Sequence, residues 1–373
     1  MKRALLLGAA LVFFLTGNAQ IYYLLVGTYT TGSGKGIYVY RFDASTGKAT
    51  PVGETDVDNP SYLTPTGDGR HVYAVDENPS GKPGAVSAFS FDPSSGRLHF
   101  LNQQPSGGDG PCYVSVDSSD KWVFVANYNG GSLEALPVQD DGSLGTPAQV
   151  IPHEGKGTNP RRQEKPHVHS VILTPNQQLL LSPDLGLDRV YVYRFSPGDV
   201  EPLTPSRPPF LKTDPGSGPR HIAFSPDHRF MYLIEEMAGK VVAYKEHEGE
   251  FTPLQTVPSI VTDTSLDKGS ADIHLSPDGK FLYASNRGKT NNLTIFSINH
   301  SSGKLRLVGY AGCGGVTPRN FTIDPTGHFL LVANQKSDNV VIFSRNPETG
   351  MIKPTGDQIS LGNPVCLRWI PAR

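Results

Sequence analysis

The sequence predicts an all-β fold, a seven-bladed β-propeller, on three observations: a repeat of about fifty residues, a turn-rich composition, and two chain ends that complete each other's repeat. Six segments share one strand-turn-strand pattern: NPSYLTPTGDGRHVYAVDEN (59–78), GPCYVSVDSSDKWVFVANYN (110–129), HVHSVILTPNQQLLLSPDLG (167–186), GPRHIAFSPDHRFMYLIEEM (218–237), GSADIHLSPDGKFLYASNRG (269–288) and TPRNFTIDPTGHFLLVANQK (317–336). Their aligned positions, 60, 111, 168, 219, 270 and 318, are 51, 57, 51, 51 and 48 residues apart. With 37% hydrophobic residues, 40 Gly and 32 Pro, the chain can fill a core but has many tight turns and little room for long helix.

The elements follow in order. Residues 1–20, MKRALLLGAALVFFLTGNAQ, have a basic start at Lys2 and Arg3, an apolar run from Ala4 to Leu15 and a small-residue exit ending at Ala19. That is the pattern of a secretory signal peptide, and it leaves residues 21–373 as one propeller domain, exported to the periplasm or the medium. The apolar run is too short to span a bilayer, so no membrane span is expected in the mature chain. IYYLLVGTYT (21–30), GIYVYRF (36–42) and TPVGETDV (50–57) then read as three strands without an inner partner. Each of the six following units brings its own first two strands, a third such as AVSAFSFDPSSG or VVIFSRNPETG, and a fourth such as RLHFLNQQ or KLRLVGYAG. Asp-Gly, Ser-Gly and Thr-Gly turns join them into a four-stranded antiparallel blade. Finally GNPVCLRWI (362–370) supplies the inner strand that the first three lack. Pairing the N- and C-terminal strands closes the ring at seven blades and removes the exposed sheet edge.

Without Lys2 and Arg3 the chain carries 31 basic and 35 acidic residues, a net charge of −4, which excludes the basic footprint of a nucleic-acid binder. Cys112, Cys313 and Cys366 lie far apart, so neither a disulfide framework nor a zinc site is expected, and no cofactor motif stands out. GTYTTGSGKG (27–36) lies between strands with no helix after it, unlike a phosphate loop. SGGDGP (106–111) reads as a blade connection. No Gly-x-Ser-x-Gly elbow occurs in a strand-turn-helix setting.

In a propeller the residues just before each first strand and just after each second strand gather at one mouth of the central channel. The first set is Ser61, Cys112, His169, Arg220, Ala271, Arg319 and Val365; the second includes Glu77, Asn127, Asp184, Glu236, Arg287 and Gln335. A histidine, several arginines and a glutamate at one ring position suit an anionic ligand beside a proton-transfer group. The polar segment HEGKGTNPRRQEKPH (153–167) makes the 57-residue spacing and either caps the mouth near His169 or is a surface loop.

The segments KPHVHSVILTP, SPDLGLDRVYVYRF, GPRHIAFSPDHRFMY, ADIHLSPDGKFLYASNRG and PRNFTIDPTGHFLLVANQ resemble the lactonase family of seven-bladed propellers, over essentially the whole mature chain. That family holds propeller-type 6-phosphogluconolactonases and the 3-carboxy-cis,cis-muconate lactonizing enzymes. The resemblance implies a monomeric, metal-independent lactonase with no cofactor, acting on a small, anionic sugar-acid lactone. It places the catalytic residues at His169, Arg220, Glu236 and Arg287, with His169 or Glu236 as base and His167 as a weaker match than His169. His167, Asp184, Arg319, Asn127 and Gln335 are then the expected substrate-binding residues. A carboxymuconate-type cycloisomerase or a non-catalytic ligand- or protein-binding propeller are the alternatives. Phosphogluconolactone is cytosolic, so the export signal leaves open whether the lactone is phosphorylated.

Overall fold

A computed structural model of the chain describes residues 20–78, 83–260 and 268–371; apart from Gln20, the expected signal peptide lies outside them. The described residues form twenty-eight strands in seven four-stranded antiparallel sheets. Strands β1 (Ile21–Thr28), β2 (Gly36–Asp43) and β3 (Lys48–Asp56) are completed by β28 (Pro364–Pro371), in the order β28-β1-β2-β3. The other six sheets take four consecutive strands each, within 63–109, 111–152, 172–212, 219–258, 270–312 and 318–360. Ring closure is thus as expected: β1 and β28 pair in register from Tyr22 with Pro371 to Gly27 with Cys366. Gly27 is required there, because a Cβ would stand 2.3 Å from the carbonyl oxygen of Pro60. The one helical element among the described residues is the 3-10 turn Gln335–Ser337, and none is long and apolar enough to cross a membrane.

Position in the blade sets the sequence of each strand. Second strands are covered on both faces by neighbouring blades, so they are near-continuous apolar runs: FMYLIE of β17 (Phe230–Glu235) and FLYASN of β21 (Phe281–Asn286) are buried throughout. Outer strands meet solvent, and β3 is exposed along much of its length. One repeat position ties blade to blade. Tyr73, Tyr232 and Tyr283 are fully buried, and their hydroxyls donate to Gly142, Gly303 and Gly350 carbonyls in the next blade's outer turn, at 3.1, 3.0 and 2.6 Å. A buried phenol needs such a partner, which makes the contact specific as well as apolar.

The inner strands share an irregularity that builds the site. Pro111, Pro219, Ser270 and Pro318 each pair with the last residue of the second strand, and the register then shifts before pairing resumes. The next residue, Cys112, Arg220, Ala271 or Arg319, therefore sits in a β-bulge, a device that re-aims a side chain. Asn59, Gly110, Gly218, Thr317 and Asn363, just before the aligned position, adopt left-handed backbone at φ 45–64°, turning the chain into the channel mouth.

Candidate active site

Arg220 opens β16 (Pro219–Phe224), and Glu236 follows the last residue of its hairpin partner β17. The bulge at Arg220 and the turn between the strands bring both side chains to the channel, buried and in contact: Arg220 Nη1 donates to Glu236 Oε2 at 2.5 Å. Arg287, one blade on, reaches the same oxygen at 2.8 Å, and Arg162 reaches Oε1 at 2.7 Å. Burial alone would raise the Glu236 carboxyl. The charges of Arg287, Arg220 and Arg162 outweigh it and hold the carboxyl well below the usual range, so it stays ionised. Burial brings the Arg287 guanidinium down to about 10, against the pull of Glu236, and it too stays charged at neutral pH.

His169 completes the cluster. Its Nε2 faces Arg220 Nη1, and since a guanidinium only donates, Nε2 must accept and Nδ1 carries the proton. Burial first, then the charge of Arg220, keep this imidazole well below its ordinary pKa and hence neutral. Arg220 is held further by Nε donating to the Ala271 carbonyl at 2.7 Å, while its Nη2 has no partner among the described residues. Arg319 lies on the other side of the ring, its guanidinium carbon 5.4 Å from the Tyr29 ring centroid and its Nη2 3.8 Å from Glu77 Oε2, to which Tyr29 also donates at 2.8 Å.

The expected residues therefore divide. His169, Arg220, Glu236 and Arg287 converge, and Arg319 shares their ring. His167 sits beside them, stacked on Tyr128 at 4.5 Å with Nδ1 3.0 Å from the Tyr128 carbonyl. Asn127 and Asp184 do not join. Each is the last residue of its second strand and points into the blade. Asn127 Nδ2 donates to the Ser106 carbonyl at 2.6 Å; Asp184 accepts from the His167 backbone N–H at 2.8 Å and contacts His153 at 2.7 Å. The residues equivalent to Glu236 in those blades are one further on, Tyr128 and Leu185. Gln335 does hold the equivalent position, half-buried at the start of the 3-10 turn.

Arg162, Tyr128 and Tyr29 went unrecognised in the sequence. Tyr128 and Tyr29 follow from counting one residue past the second strand. Arg162 follows from no repeat: it comes from the 153–167 segment, which does cap the mouth. Three buried side chains pin that cap. His153 binds Asp184 and, through Nε2 at 2.9 Å, the Tyr193 hydroxyl. Gln163 accepts from the backbone of Thr158 and Asn159 and donates to Leu185 O and Asp188 Oδ1 at 2.9 and 2.7 Å. His167 anchors the far end. Arg162 is thus placed by a fixed framework.

A family model described as Lactonase, 7-bladed beta-propeller matches residues 23–369. The chain belongs to this lactonase family. The 6-phosphogluconolactonase of Bacillus subtilis is 38% identical over 349 residues, 92% of this chain and 97% of its own length. That of Formosa agariphila is 37% identical, covering 88% and 94%. Among solved structures, a periplasmic gluconolactonase of Pseudomonas aeruginosa superposes with a TM-score of 0.90 at 41% identity, over 95% of this chain and 100% of that one.

Proposed function

We propose that this lactonase-family protein hydrolyses an anionic sugar-acid lactone at the arginine-lined channel mouth, as an exported, monomeric, metal-independent enzyme. One observation carries the reading: three guanidinium groups converge on the single carboxylate of Glu236. One negative charge offsets one of three positive charges, and the neutral His169 adds none. The surplus favours an anionic substrate. It also supplies donors where charge develops as water adds to the lactone carbonyl, and Arg220 Nη2 is free to serve. Glu236 fixes the arginines in place and, ionised and held by three of them, is not the proton acceptor. His169 has its lone pair on Arg220 and acts with Glu236 to position that arginine.

Among the described residues no group of three His, Cys, Asp or Glu side chains is placed to hold a metal ion. The names of the relatives favour hydrolysis over cycloisomerisation. They differ on the phosphate: the Bacillus name includes it, while the Pseudomonas protein is a periplasmic gluconolactonase, in keeping with the leader at residues 1–20. A panel of aldonolactones with and without a phosphate, followed by acid release in a pH-stat, tests the reading. Opening of at least one of them well above its spontaneous rate is expected; spontaneous rates across the panel would overturn it.

A further inference from the structure

One layer deeper in the channel, the second residue past each aligned position forms another ring, and it contains a more complete proton-accepting unit than the one at the mouth. His221 follows Arg220 directly on β16, and Asp272 is its equivalent on β20 (Ser270–Leu275). His221 Nδ1 lies 2.8 Å from Asp272 Oδ1. An ionised carboxylate only accepts, so Nδ1 carries the proton and Nε2 presents its lone pair. Asp272 is itself fixed: His274 Nε2 approaches Oδ2 at 2.9 Å, Asn320 Nδ2 donates to the same oxygen, and the Ile273 backbone N–H donates to Oδ1 at 3.0 Å.

Among the described residues His221 Nε2 has no partner, although the residue is only 5% exposed. A buried acceptor without a partner is costly, so one in a native structure calls for a role. The ring lies edge-on to that of His169, 5.3 Å between centroids, directly beneath the arginine cluster. It also borders a cavity of about 400 Å³ that runs from Tyr62, Tyr113, Asp272 and His274 down to Pro226 and Pro277, past the ends of the inner strands away from the arginines. That space is large and polar enough for ordered water. Burial holds the imidazole down to about 4 despite Asp272, so it is neutral at neutral pH and its Nε2 lone pair is unprotonated.

We propose that His221, oriented by Asp272, takes the proton from the attacking water, which approaches the lactone from the channel side while the arginines hold its carbonyl from the mouth. The step rests on the hydrolytic reading above and balances without a co-reactant. Water oxygen bonds to the carbonyl carbon as its proton passes to His221 Nε2, and the carbonyl electrons move to the oxygen held by the arginines. When the tetrahedral adduct collapses, the ring carbon–oxygen bond breaks and the departing oxygen takes the proton back from His221. The product is the open hydroxy acid, and the protein returns to its starting state.

His221→Asn tests this, because the Asn amide can still donate to Asp272 in place of Nδ1 but lacks Nε2. General-base contributions of about 10²–10⁴ are typical. On the best lactone of the panel, kcat should fall at least a hundredfold, with KM within about threefold of wild type and an unchanged melting temperature. His169→Asn, which disturbs Arg220, should raise KM as well. Asp272→Asn serves if His221→Asn does not fold. It should lower kcat, and 15N NMR of histidine-labelled protein should show His221 leaving the Nδ1–H tautomer that the wild type displays. A His221→Asn enzyme with kcat within threefold of wild type, or a wild-type His221 protonated on Nε2 alone, would overturn the assignment. If wild type opens no lactone, the hydrolytic reading itself fails, a distinct outcome.

Discussion

Glu235 and Glu236 are consecutive and both buried, yet their carboxyls are driven in opposite directions. Glu235 ends a second strand and points between blades, where its Oε2 has no partner among the described residues; burial pushes it up to about 7. Glu236, one residue on, turns into the channel, where burial is outweighed by the charges of Arg287, Arg220 and Arg162. A one-residue step at a strand end thus switches a carboxyl from a near-neutral interior group to a fixed anion. The same step separates Asn127 and Asp184, spent on blade structure, from Tyr128 and Leu185 at the channel. At the end of each second strand, the side chain that faces the channel is the residue past the strand.

That contrast exists only while the ring is closed. Deleting residues 362–373 removes β28, the inner strand that β1 pairs with. No folded, soluble protein is expected in size-exclusion chromatography or circular dichroism, and a stable truncated protein would refute the closure. A milder break removes one cation. Arg162→Ala takes away a charge-assisted bond to Glu236 from a partly exposed side chain. Solvent screening at this partly exposed side chain limits the bond to ~1 kcal/mol, so kcat/KM should fall only about fivefold with the fold intact.

The smallest effect sharpens the other half of the comparison. The Glu235 pKa rises from 4.5 to about 7 on folding, so it carries no penalty below about pH 4.5 and destabilises the native state progressively as pH rises through about 7. Glu235→Gln should leave turnover unchanged and narrow the drop in melting temperature between pH 5 and pH 8 by ~5 °C. An unaltered pH dependence would place that charge elsewhere.

How far the sequence discloses the site follows the repeat. The blades are visible because every unit must bury the same second strand and turn at the same places, and the bulge keeps Arg220 and Arg319 at one countable offset. The offset past the second strand is equally constant, but Asn127 and Asp184 sit one residue short of it and carry the polar side chains that draw attention. Arg162 is beyond counting, since the 153–167 cap belongs to one blade alone and only its added length shows in the spacing. His221 and Asp272 stand in plain view in PRHIAF and SADIHL, yet their pairing depends on two adjacent blades facing one channel.

If the cluster around Glu236 acts on the lactone, losing its members costs turnover; if it only binds blades together, the loss costs stability alone. Single-turnover rates of Arg220→Ala and Glu236→Gln on the best lactone separate the two most directly. Losing a group that acts on the transition state costs about a hundredfold to a thousandfold, whereas a structural surface ion pair contributes only ~1 kcal/mol of stability. Losses in the first range are expected for both variants in folded protein. Wild-type turnover with only a shifted melting temperature would contradict a role on the lactone.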